Sequence, residues 1–93
     1  MNIDELQKEL KDLKRLIGKK DIALRILKAK LPDLQKKYEA NPTVLNESEI
    51  VMANADKVNL ETELYFLIQR KNLLERQIED YKKREGGQPG GPQ

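Results

Sequence analysis

The sequence predicts an all-α fold, a two-helix antiparallel coiled-coil hairpin. Three observations predict it: apolar residues alternate in steps of three and four through each half, both halves carry matched start and stop signals, and the halves differ in charge sign. Charged residues make up 37% of the 93 residues and aromatics 4%, without Trp, so the apolar content rests on Leu and Ile as in long helices. A chain this short buries a limited share of its surface, so its core is expected to be simple or completed by a partner.

The first arm is expected over about 3–40. Ile3, Leu6, Leu10, Leu13, Ile17, Lys20, Leu24, Leu27, Leu31, Leu34 and Tyr38 trace one heptad seam with a single polar member. Asn2 with Glu5 fits a capping box, Asp4 and Glu5 suit the positive end of the helix dipole, and Lys36 and Lys37 suit the negative end. Gly18 and Pro32 lie inside this arm. The proline removes one backbone hydrogen bond, yet the seam passes through it in phase, which predicts a bent continuous helix rather than a break.

Asn41-Pro42 ends that arm, because the residue before proline is pushed out of the α region. The turn is placed at 41–46, with Asn46 and Glu49 as a second capping box and Leu45 and Ile50 as a hydrophobic staple. The second arm, about 47–85, repeats the stepping through Ile50, Ala53, Lys57, Leu60, Leu64, Leu67, Lys71, Leu74, Ile78 and Tyr81. The turn position sets Leu34 opposite Ala53, Leu24 opposite Leu64, Leu13 opposite Leu74 and Leu6 opposite Tyr81. The seam lysines Lys20, Lys57 and Lys71 are expected to lay their stems on the seam and reach water with the ammonium. Residues 1–85 then form the hairpin domain, and 86–93, Gly-Gly-Gln-Pro-Gly-Gly-Pro-Gln, a disordered Gly/Pro tail.

The charges are balanced overall, 18 basic against 16 acidic. Residues 3–40 carry eleven basic and seven acidic residues, hence +4, whereas residues 47–85 carry seven and nine, hence −2. Opposite signs favour pairing the arms with each other. The balance argues against a nucleic-acid partner, and the polar start and lack of a long apolar run argue against a signal peptide or membrane span. A cytoplasmic setting is expected. With neither Cys nor His, thiolate chemistry, the usual zinc sites and the common general base are removed, so neither an enzyme, a metal site nor a cofactor is expected.

Apolar residues that one seam cannot use point to function. Leu16, Ile22, Ile26, Val58, Tyr65, Phe66 and Ile68 form a surplus that a two-helix hairpin leaves wet, and such surfaces mark interaction sites. The expected function is a non-enzymatic protein–protein interaction or assembly module, a homo-oligomeric structural or adaptor coiled coil whose partner is a second copy or another helical protein. The dimer would be a four-helix bundle. The alternatives are a holdase-like or secretion/assembly chaperone using the same patch and a basic hairpin contacting RNA or DNA.

Overall fold

A computed structural model of the chain describes residues 2–86. Among them the protein is two α-helices, α1 (Ile3–Ala40) and α2 (Val44–Gly86), joined by a tight turn into a helical hairpin, with no strand. The tail expected at 86–93 lies, from residue 87 on, outside the described residues, while Gly86 is the last residue of α2.

The α1 helix starts where its capping residue places it. The Glu5 amide donates to Asn2 Oδ1 at 2.9 Å and the Leu6 amide to the Asn2 carbonyl at 3.1 Å, so one side chain satisfies a donor that the helix leaves free. Pro32 sits inside α1 on its exposed side, and the helix continues unbroken to Ala40 as the phase of the seam required.

The turn differs from expectation. The α2 helix begins at Val44, three residues early, because Thr43 rather than Asn46 caps it: the Asn46 amide donates to Thr43 Oγ1 at 3.1 Å and the Glu47 amide to the Thr43 carbonyl at 3.0 Å. Asn46 is thus inside the first turn, and its side chain reaches backward, donating through Nδ2 to the Asn41 carbonyl at 2.8 Å. A cap at Thr43 also removes the geometry of a Leu45–Ile50 staple, and Leu45 is left 71% exposed.

Two compact units divide the described chain. The turn-bearing unit, Gly18–Tyr65, holds the later part of α1, the turn and the first part of α2; its buried residues are Leu24, Ala53, Leu64 and Asn46. Leu34 and Ala53 wall the same groove there, as their expected pairing requires. The terminal unit comprises the residues up to Ile17 and from Phe66 on, and its core is Leu6, Leu13, Leu74 and Ile78, with Ile3, Leu10, Ile17, Leu67 and Tyr81 packed against it. Every seam residue in both helices is buried or half-buried. The residues between them are exposed, apart from a few that flank the seam such as Glu9, Asp21 and Glu75, and the turn residues Asn46 and Ser48.

Cross-helix ion pairs line the seam. In the turn-bearing unit α1 supplies cations to α2 carboxylates, with Lys20 Nζ at 3.2 Å from Glu63, Lys28 at 3.9 Å from Glu61 and Lys37 at 3.0 Å from Glu49. The terminal unit pairs Arg70 with Glu9 at 3.0 Å and Lys14 with Glu75 at 3.8 Å. Each such exposed pair contributes about 0–1 kcal/mol, so their role is to favour one register more than to supply stability.

Candidate interaction surface

The seven residues expected to form an association surface are all exposed, from 38% at Ile68 to 65% at Phe66. They divide between the units. Ile22, Ile26, Val58 and Tyr65 belong to the turn-bearing unit, and Leu16, Phe66 and Ile68 to the terminal unit. Ile22 and Ile26 are one helical turn apart on α1. Ile26 lines a groove together with Leu27, Leu60, Lys30, Asp56 and Glu63.

Five further large apolar residues are exposed. Val51 and Leu73 fall off the seam steps and are exposed as those steps require, and Val44, Leu45 and Met52 join them, with Val44 the most exposed at 86%. A turn at 41–46 would take in Val44 and Leu45; with Thr43 capping the helix, they are instead its first residues. The signal was present as a heptad step: Val44, Val51, Val58 and Tyr65 recur every seven residues, as do Leu45 and Met52.

Lettering the α2 seam as a and d puts these residues at b and c, which together with f point away from α1. From Val44 to Tyr65 the ten b, c and f positions read Val, Leu, Ser, Val, Met, Ala, Val, Asn, Thr and Tyr, and none is charged. At the composition of the chain, 37% charged, about four of the ten would be. The corresponding positions later in α2 carry Arg76, Glu79, Asp80 and Lys83, and those of α1 are charged through most of its length. A helix face that is only solvated gains nothing from excluding charge over six turns, whereas a face that packs must exclude it.

The acidic residues of this stretch are confined to its sides facing α1. Glu49, Glu61 and Glu63 are held by Lys37, Lys28 and Lys20, and Glu47 accepts from the Tyr38 hydroxyl at 3.3 Å. On the outer face, Ser48 donates its hydroxyl to the Leu45 carbonyl at 2.7 Å, so it carries no unsatisfied donor toward the surface.

Among the described residues no group of three or more potential ligands is placed to hold a metal ion, and no helix is long and apolar enough to cross a membrane. Compared with protein-family models, curated proteins and solved structures, the chain matches none.

Proposed function

We infer that this chain is a non-enzymatic assembly module, a coiled coil that functions by associating with a second copy of itself into a four-helix dimer in the cytoplasm. The observation that carries this reading is the set of large apolar side chains left exposed on both units of the described chain, twelve in all. Isolated exposed apolar residues are ordinary, but six of these, Val44, Leu45, Val51, Met52, Val58 and Tyr65, share one uncharged face of α2 within the turn-bearing unit, and such a surface marks an interaction site.

The magnitudes support self-association of moderate strength. Fully burying a Val, Leu, Ile, Phe or Met returns roughly 1.5–3 kcal/mol, and about half of that remains to be gained by residues already partly covered. Four from each copy of a two-fold dimer therefore return about 8 kcal/mol, within the roughly 4–15 kcal/mol that association costs. The balance implies a dimer that forms and dissociates with concentration.

Sedimentation of the full chain across micromolar to millimolar concentrations tests the reading. A rise from monomer to dimer mass supports it. A monomer throughout that range would remove self-assembly as the function and assign the exposed surface to a foreign helical partner.

A further inference from the structure

The geometry points to the outer face of α2 between Val44 and Thr62 as the dimer seam, packed antiparallel against the same face of a second copy. This rests on the self-association proposed above and specifies its surface, its orientation and the order of the helices.

Positions b and f of this stretch form a second heptad seam with steps of four and three: Val44, Ser48, Val51, Ala55, Val58 and Thr62. Valine alternates along it with Ser, Ala and Thr, two of which are smaller than valine. If two copies run antiparallel with Val51 opposite Ala55, each valine meets Ser, Ala or Thr and never another valine: Val44 meets Thr62, Ser48 meets Val58 and Val51 meets Ala55. Such alternation lets facing layers interdigitate at close helix separation. A parallel pair would instead set valine against valine and small against small, crowding some layers and leaving gaps in others.

The second copy is the fitting occupant for two reasons. A seam without charge over its whole length is complementary only to another uncharged helix face, since a charge set against it would be desolvated without a partner. Among the described helices this face alone stays uncharged for that length. The pattern is also its own complement under a two-fold axis, as an interface between identical copies must be. Ser48, its hydroxyl already donated to the Leu45 carbonyl, can enter the seam without losing a hydrogen bond to water. Leu45 and Met52, at the flanking c positions, then cover the edge of the seam. Because b and f lie away from the side that faces α1, the second copy sits across α2 from α1, and the four helices follow the order α1, α2, partner α2, partner α1.

Sedimentation of the full chain and three variants tests this, with helical circular dichroism as the check that each variant folds. Val51→Asp/Val58→Asp is expected to be a helical monomer, and Ala55→Leu, which overfills a layer while suiting a helix, to weaken association at least tenfold. Lys36→Glu, on the outer side of α1 and outside the exposed apolar set, is expected to dimerise like the wild type. If the wild type dimerises but Val51→Asp/Val58→Asp does so equally well, the dimer uses another surface and this inference falls while self-association stands. A wild type that never dimerises overturns both. Orientation is read by oxidising a mixture of Val51→Cys and Ala55→Cys chains: disulfides joining one chain of each kind are expected, and Val51→Cys chains crosslinking equally well among themselves would overturn the antiparallel arrangement.

Discussion

The side-chain amide of Asn46 donates to the backbone carbonyl of Asn41 at 2.8 Å and is the buried polar group of the turn, 5% exposed. The same carbonyl accepts from the Thr43 amide at 2.8 Å, so one oxygen joins the end of α1 to the start of α2. Asn46→Ala should therefore destabilise the protein by about 1–2 kcal/mol, because the turn loses a hydrogen bond made in a water-poor place. Thr43→Ala should cost about 1 kcal/mol through the lost cap, with Thr43→Ser close to wild type. Urea titrations followed by circular dichroism would measure both. A harmless Thr43→Ala would mean that the helix is capped elsewhere.

Leu73 and Leu74 are neighbours with opposite fates, 56% and 5% exposed. Leu74→Ala opens a cavity in the terminal core and is expected to cost about 2–4 kcal/mol. Leu73→Ala should stay within about 0.5 kcal/mol in dilute solution. Similar losses at both positions would show that the seam is not the principal core.

Lys71 occupies a seam position with its side chain 29% exposed, and its ion-pair partner is Glu75 at 3.8 Å, which also holds Lys14 at 3.8 Å. The pair is long and shared, so Lys71→Leu should raise stability by about 1 kcal/mol through added apolar burial. Lys20 differs, since its ammonium lies 3.2 Å from Glu63 across the helices. Lys20→Leu should gain less, with the difference shrinking in high salt as the pair is screened. Thermal melts at low and high ionic strength distinguish the two, and a loss of stability in Lys71→Leu would overturn the assignment.

A methyl group added at Gly18 meets nothing within 4 Å, so Gly18→Ala should stabilise α1 by about 1 kcal/mol. Pro32→Ala restores an amide donor on an exposed part of the same helix and should add about 1–3 kcal/mol. The two sites are far apart in sequence and should be additive. A double variant no more stable than either single one would contradict that independence.

The seam was fully legible in the sequence, because burial follows the heptad step residue by residue and a period of 3.5 admits no other assignment over so many turns. The α2 boundary was not. Thr43, Asn46 and Ser48 all suit a cap, and only the three-dimensional path of the turn decides that Asn46 turns back to Asn41 while Thr43 caps. That error hid Val44 and Leu45, and with them the length of the uncharged outer face. Ile22 and Ile26 were correctly expected to be exposed, since neither falls on a seam step.

The spans bridged by the hydrogen bonds differ widely along the hairpin. Tyr38 and Glu47 are nine residues apart and Lys37 and Glu49 twelve, whereas Glu9 and Arg70 are sixty-one apart. Loop closure disfavours the long spans first, so the hairpin should zip from Asn46 outward. During synthesis, Leu13 emerges sixty-one residues ahead of Leu74, its partner in the terminal core. At roughly 5–20 residues per second, that stripe of α1 waits about 3–12 seconds on the ribosome with its apolar edge bare. The acidic and basic residues that flank it must keep it from aggregating in that interval, a solubility duty that ends once α2 arrives.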